Sequence, residues 1–501
     1  MDNERKRQGA KTFLHDFFKH RQHPIRILGY TTRSFWLIII PLTRNLIASR
    51  YDIASWLKGS WLSILTLIVI FGYAFIRWAT ISYTIEDDCL IAKSGYFGLL
   101  ESKIYYDKIT SVSASQGPMY RLFRAHKLYF NTNSGLRNGV DITLTVKMSD
   151  YTRLFGIIDP QSADSGSFTY RPKHSQMLIF SLLFSSSLSG ILVWSTFLIQ
   201  GSRIVDVQIQ DRIRSEIFNF TERVEALLSN IPPIAVAVSL AALASWAVSF
   251  IAILMRHWSF GAVRRQNRII IKSGFITKRY HILNRDTIVC ADMQQSLLMR
   301  ICKICSVRIV CNGYGKSNRE MNILVPITTN REVACSLKLL MPEMPIPQIT
   351  ERPGVKNIFY HIFPPLLMCI AIPIGGAAAL KLFPSWSRII RFAMIIFELP
   401  SVWLTIVKLV SGFTIGAGEE NGYLRLDHCR LYSFHTVIIP VSKISKLTLY
   451  QSVPQFLNNR CNISVQCSSL AAKKYIAKNF PMEQAERLHG KMSGEQSAQA
   501  G

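Results

Sequence analysis

The sequence predicts an α-helical multi-pass membrane protein, with about six transmembrane helices in three pairs and three small α+β domains on one side of the membrane. Three observations predict it. Apolar residues make up 49% of the 501-residue chain and charged residues only 18%. The apolar residues gather into long blocks almost free of charge, each near the roughly 20 residues that cross a bilayer. A short motif then recurs after each pair of blocks, the signature of a repeated unit.

Residues 1–33 form a basic segment whose start, "MDNERKRQGAKTFLHDFFKHRQHP", lacks an apolar stretch followed by a small-residue cleavage site, so it is not read as a removable signal. The first pair, 34–78, opens with "SFWLIIIPLTRNLIAS", broken by Pro41 and Arg44, which would also suit a re-entrant or interfacial segment; "WLSILTLIVIFGYAFIRW" follows. The second pair, 174–254, comprises "QMLIFSLLFSSSLSGILVWSTFLI" and "IPPIAVAVSLAALASWAVSFIAIL" around a loop at 201–230. In that loop Ile213, Ile217, Phe220, Val224 and Leu227 form one helical stripe. The third pair, 357–410, comprises "NIFYHIFPPLLMCIAIPIGGAAAL" and "IIRFAMIIFELPSVWLTIVKLV".

Each pair returns the chain to the side it left, so the polar stretches between pairs share one compartment with both termini. Arg33, Arg77, Arg171, Lys173, Arg256, Arg352, Lys356 and Lys408 edge the membrane on that side. The opposite side carries Arg44, Lys58, Lys381 and Arg388, and its long loop holds four basic against five acidic residues. The positive-inside rule therefore makes the shared side cytoplasmic.

The polar stretches predict domains at 79–160, 256–345 and 411–492, with a disordered tail at 493–501. Lys93-Ser94-Gly95 recurs as Lys272-Ser273-Gly274; fourteen residues after each Gly comes Ile109 or Ile288, and seven further on Gln116 or Gln295. Ile444 and Gln451 fit the same ruler, with Arg430 at the Gly position. Five and six residues past each Gln stand Arg121-Leu122, Arg300-Ile301 and Phe456-Leu457. Turns around Asp87, Gln266 and Gly422 separate short β-rich runs, and each copy closes on a helical pattern, started in the last two by Asn330 and Pro481.

The stretches "YTIEDDCLIAKSGYF", "KITSVSASQGPMYRLF" and "DTIVCADMQQSLLMRI", each behind a helix pair, resemble the bacterial pleckstrin-homology (PH) domain of the second type, found in membrane-flanked, YdbT-like multi-pass proteins. The resemblance covers nearly the whole chain. It implies PH-like domains of two nearly orthogonal sheets and a capping helix, and placement in a bacterial cytoplasmic membrane. It also implies a smaller membrane protein with the same domain as partner, and a role in envelope maintenance or resistance to membrane-active agents. The third copy departs from the pattern at Arg430, so a site there is less expected.

Catalytic chemistry is not legible. The sequence has no phosphate-binding Gly loop with a following Lys, no HExxH, no nucleophile elbow and no EF-hand loop, so no enzyme activity and no cofactor are expected. Cys302 and Cys305 have metal-ligand spacing, but a zinc site commonly needs a second close pair, and these cysteines lead into a strand as core fillers. Glu398 is an intramembrane polar candidate, because a carboxylate in hydrocarbon calls for a polar partner or a pathway.

Net charge is +27, and residues 256–320 hold thirteen Lys or Arg against three Asp or Glu. That basic second domain, beneath an anionic leaflet, nominates Arg300, Lys303 and Arg308 as lipid or partner contacts. Aromatic residues are sparse among its charges, which argues against nucleic acid. The reading is a non-enzymatic membrane binding and assembly protein whose domains contact anionic headgroups or partner membrane proteins. The alternative is a transporter-like helix bundle regulated by those domains.

Overall fold

The computed structural model describes residues 21–31, 42–43, 52–94, 100–132, 142–159, 168–185, 233–311, 323–354, 356–468 and 474–500. Helix α1 (Ile53–Thr80) leads to strands β1 (Ser82–Ile85), β2 (Cys89–Ser94), β3 (Leu100–Tyr105) and β4 (Ile109–Gln116). A short helix α2 (Pro118–Leu122), strands β5 (Ala125–Thr132) and β6 (Ile142–Lys147) and helix α3 (Met148–Ile158) complete the first module. Strand β7 (Phe168–Tyr170) and helices α4 (His174–Phe184) and α5 (Pro233–His257) lead to the second. It contains β8 (Gly261–Arg265), β9 (Arg268–Ser273), β10 (Lys278–Asn284), β11 (Ile288–Ser296), α6 (Leu297–Ile301), β12 (Ile304–Cys311), β13 (Ile323–Thr329) and α7 (Val333–Leu340). Helices α8 (Lys356–Leu382) and α9 (Ser387–Thr414) precede the third module. That module contains β14 (Gly416–Glu420), β15 (Tyr423–Arg430), β16 (Ser433–Pro440), β17 (Ile444–Tyr450), α10 (Val453–Leu457), β18 (Arg460–Cys467), β19 (Lys474–Pro481) and α11 (Met482–Ala500).

Three helical stretches among the described residues are long and apolar enough to cross a membrane: Trp56–Thr80, Ile358–Leu382 and Ile389–Thr414. The apolar helices His174–Phe184 and Ala241–His257 are shorter. Helices α8 and α9 stand as a hairpin closed through Phe383–Trp386. The segment expected at 34–48, most of that at 176–200 and the striped loop lie outside the described residues, apart from the short 42–43 piece. Side chains such as Ile68 and Val69 on α1, Ile374 on α8 and Phe397 on α9 face outward, where lipid would replace water as solvent. Prolines 364, 365, 373 and 400 lie inside α8 and α9, a placement membrane helices tolerate.

The repeated Gly has a steric reason. Gly274 adopts φ +100°. A Cβ there would come 2.1 Å from the Thr277 carbonyl oxygen, so only Gly closes this turn without strain. In the third module the equivalent bend is tighter, and Leu431 takes the left-handed conformation at φ +50°.

The sheets depart from the expectation of self-contained domains. Each module's second sheet continues edge to edge into the first sheet of the next, giving a seven-stranded order β6-β5-β4-β10-β9-β8-β7 and a six-stranded order β13-β12-β11-β16-β15-β14. Three-stranded sheets β1-β2-β3 and β17-β18-β19 end the series. Both junctions use one register, for Lys278 faces Gln116 in the first and Phe434 faces Gln295 in the second, each Gln being that of the repeated motif. An extra bridge also precedes the first strand of each module, at Arg21–Ser82, Tyr170–Ala262 and Glu351–Ala417.

Strand alternation makes each shared sheet a wall between two cores. Ile269, Ile271 and Leu283 enter the second module's core, while Ile270 and Ile282 enter the first, beside Val112 and Phe130. At the other junction Ile438 enters the second core, and Val289, Cys290 and Val310 enter the third. With both faces buried, "RIIIKS" reads as a continuous apolar run where a one-sided strand would alternate.

Candidate membrane-facing site

In the second and third modules one turn is bonded to the long apolar helix that precedes the module. In the second module the Gly274 and Phe275 amides donate to the Trp258 and Met255 carbonyls at 2.8 and 2.9 Å, fixing the β9–β10 turn against the end of α5. In the third, the Tyr432 hydroxyl donates to the Pro400 carbonyl at 3.4 Å, so the β15–β16 turn runs up beside α9. The short helices sit near these turns. Gly117, which caps α2, is packed near Thr277, and Leu297 of α6 is buried with Val407 of α9 and Phe434.

All three short helices expose apolar side chains: Met119 and Leu122 on α2, Leu298 and Ile301 on α6, and Val453, Phe456 and Leu457 on α10 or at its end. Phe275, Ile276 and Leu431 at the turns are exposed as well. After each short helix the chain bends through one left-handed residue, Arg124, Lys303 or Asn459, at φ between 50° and 57°. Apolar tips flanked by cations at the ends of long apolar helices are chemically matched to an anionic interface.

The three nominated basic residues part company. Lys303 is exposed at its bend. Arg300 turns into the second junction, with its guanidinium 4.9 Å from the Phe434 ring centre. There it lines a cavity of about 450 Å³ together with Asp427, His428 and His435. Burial lowers its pKa, while Asp427 acts to raise it. Arg308 pairs in register with Asp292, lies 5.5 Å from the Phe184 ring centre, and also has its pKa lowered by burial. Around the cavity, Arg425 grips Asp427 by two bonds of 3.1 and 2.9 Å, and His435 Nδ1 lies 3.0 Å from Asp292. Burial, then the neighbouring His435, pushes the His428 pKa down to about 4.

The exposed apolar tips escaped the reading of the sequence, although Arg121-Leu122, Arg300-Ile301 and Phe456-Leu457 stood out there as repeat markers. Glu398 is half-buried on α9, and its Oε2 has no hydrogen-bond partner among the described residues. Arg391, two turns away, instead donates to the Ser387 carbonyl. Among the described residues no group of three or more His, Cys, Asp or Glu could hold a metal ion. Cys305 is buried and Cys302 exposed, and all ten cysteines are free thiols.

Residues 28–161 and 224–334 match the bacterial PH domain family. The chain is 19% identical over 341 residues to the transmembrane protein YdbT of Bacillus subtilis (strain 168), an alignment covering 62% of this chain and 68% of YdbT. No solved structure matches. The third module, outside both matched stretches, repeats the same order of strands and helices. With its apolar spans and repeated modules, the chain is similar to the transmembrane protein YdbT, and two of its stretches match the bacterial PH domain.

Proposed function

We propose that this protein is a non-enzymatic scaffold of the bacterial cytoplasmic membrane, with six spans in three pairs and both termini cytoplasmic. Its three PH-like modules lie as one joined array against the inner leaflet, where they contact anionic headgroups and present surfaces to partner membrane proteins. The resemblance to membrane-flanked PH proteins supports a partner carrying the same domain and a role in envelope maintenance or resistance to membrane-active agents.

The observation that carries this reading is the repeated exposure of apolar side chains on α2, α6 and α10, beside turns bonded to α5 and α9. Nitroxide labels placed singly at Leu122, Ile301 and Leu457 of the full chain in lipid nanodiscs test it. Labels shielded from an aqueous relaxant, more so in anionic than in neutral lipid, are expected; labels as accessible as one on an aqueous loop would reject it.

A second reading, a transporter-like bundle, draws on the unpartnered Oε2 of Glu398. Glu398→Gln should abolish the cellular phenotype of a transporter and leave that of a scaffold nearly unchanged.

A further inference from the structure

We infer that the groove between α8 and the third module is a site for one anionic phospholipid, its phosphate held by five basic side chains and its acyl chains laid along α8 and α9. This inference deepens the lipid-contact reading above and rests on it. The groove encloses about 1050 Å³ and has two chemically distinct halves. Phe359, Phe363 and Met368 of α8, Leu404 of α9 and Leu431 of the β15–β16 turn make the apolar half. Lys408, Arg430, Arg460, Lys474 and Lys478 make the polar half, and among the described residues no Asp or Glu lines the groove.

The cations are not neutralised within the described residues. Lys408 donates to the Cys429 carbonyl at 3.4 Å, Arg460 to the Pro353 and Asn479 carbonyls at 3.2 and 2.9 Å, and Lys474 lies 5.6 Å from the Tyr450 ring centre. Among the described residues none of the five pairs with a carboxylate, while the nearby Asp427 is taken by Arg425. Five converging like charges repel one another, and a bound anion relieves that repulsion.

The polarity of the groove follows the membrane. Lys408 lies one helical turn beyond Leu404 toward the Thr414 end of α9, and the apolar wall of α8 falls within the span Ile358–Leu382. Phe359 and Phe363 are 70% and 50% exposed, so the apolar half is open on the side where acyl chains would stand. A soluble phosphate would use the basic half and leave the apolar one empty; a phospholipid fills both.

The test uses the full chain, delipidated in mild detergent, with dioleoylphosphatidylglycerol, dioleoylphosphatidylcholine and glycerol phosphate as probes and bound lipid counted by native mass spectrometry. Wild type should retain one phosphatidylglycerol in preference to phosphatidylcholine. Combined Arg430→Glu, Lys474→Glu and Lys478→Glu changes should weaken that binding about a hundred-fold or more, as the loss of three contacts of about 1 kcal/mol each implies. Arg430→Lys with Lys474→Arg and Lys478→Arg should restore it.

A photoreactive phosphatidylglycerol should crosslink to residues 359–368 of the wild-type chain, which keeps the site testable if the triple variant folds poorly. Crosslinks elsewhere only, or affinity kept within two-fold in a variant of unchanged melting temperature, would overturn the site. Glycerol phosphate binding as tightly as the lipid would identify a soluble anion and overturn it as well. Wild type with no anionic preference at all would sink the broader lipid reading too, whereas a preference that survives charge reversal would sink this groove alone.

Discussion

The strands that join the modules and the strands that end the series hold the same places in the repeat but are made of different residues. At the joints, β4 and β11 are buried over six successive residues, whereas β17, their counterpart at the end, is buried at Ile444 alone. Where the joints have buried Ser111 and Cys290, β17 has exposed Lys446. Where β10 and β16 offer Ile282 and Ile438 to the neighbouring core, β3 offers exposed Lys103, within 3.9 Å of Glu86. Lysines on exposed edges discourage further pairing. The comparison teaches that a residue's neighbour in the array, more than its place in the module, decides what it is.

Moving the residue of an end into a joint should have the largest effect. Ile438→Lys puts an unpaired ammonium into the second module's core, where Ile438 is fully buried. Leaving an uncompensated charge in such a place costs about 3–5 kcal/mol. Thermal unfolding in nanodiscs should show the second and third modules separating or melting early, while Ile438→Val should cost only about 1 kcal/mol.

Acid should loosen the joints next. His281 Nδ1 lies 2.7 Å from Ser113 Oγ across the first joint, and burial, then Arg279, pushes its pKa down to about 3. His428, beside the second joint, is lowered to about 4. Both folded values lie below the ordinary 6.5, so the unfolded chain binds the proton first and stability falls as pH drops below about 6.5. Full stability is present above that value, and the loss at His281 approaches about 1.4 kcal/mol per pH unit until its folded pKa is reached. His428, partly accessible, contributes less. Melting temperatures measured from pH 7.5 to 5 should fall, and His281→Gln should flatten the slope; a slope unchanged by that substitution would remove His281 from the explanation.

A smaller change tests how the middle module differs from the last. Gly274→Ala must strain a turn at φ +100° whose Cβ space is filled by the Thr277 carbonyl, a cost of about 1–3 kcal/mol. Because the neighbouring amides hold Met255 of α5 and Trp258 just past its end, faster hydrogen exchange at Gly274 and Phe275 is expected. Arg430→Ala in the third module, whose bend is carried by Leu431, should leave exchange there unchanged.

These contrasts also show what the sequence could carry. The long spans, the three modules, the turns at Gln266 and Gly422 and the closing helices are local signals of apolar blocks, spacing and turn chemistry. The shared sheets are not, because edge pairing joins residues such as Ile282 and Val112 that lie 170 positions apart, and alternation says which faces are buried but not by whom. The run Ile269-Ile270-Ile271 was the available sign that two cores meet at one strand. Charge counting favoured the second module, yet Arg300 and Arg308 turn inward there. The basic groove of the third module is assembled from Lys408, Arg430, Arg460 and Lys474 on separate elements, a convergence no linear count can see.

The smallest change in stability should accompany the most visible change in assembly. Carried over to the two ends, the register of the joints would set Lys103 of one copy opposite Leu447 of another, and Ile104 opposite Lys446, mismatches that disfavour a fourth joint. Lys103→Ile with Lys446→Ser restores at both ends the residue types found at the joints. Both lysines are exposed, so the melting temperature should move by no more than about 0.5 kcal/mol of stability implies. An open head-to-tail contact does not close on itself, so mass photometry of the solubilised variant should show a concentration-dependent ladder of oligomers rather than a single dimer. A variant whose size distribution matches wild type at every concentration would mean that the ends are blocked by something other than these two charges, and the comparison between joint and end would lose its electrostatic half.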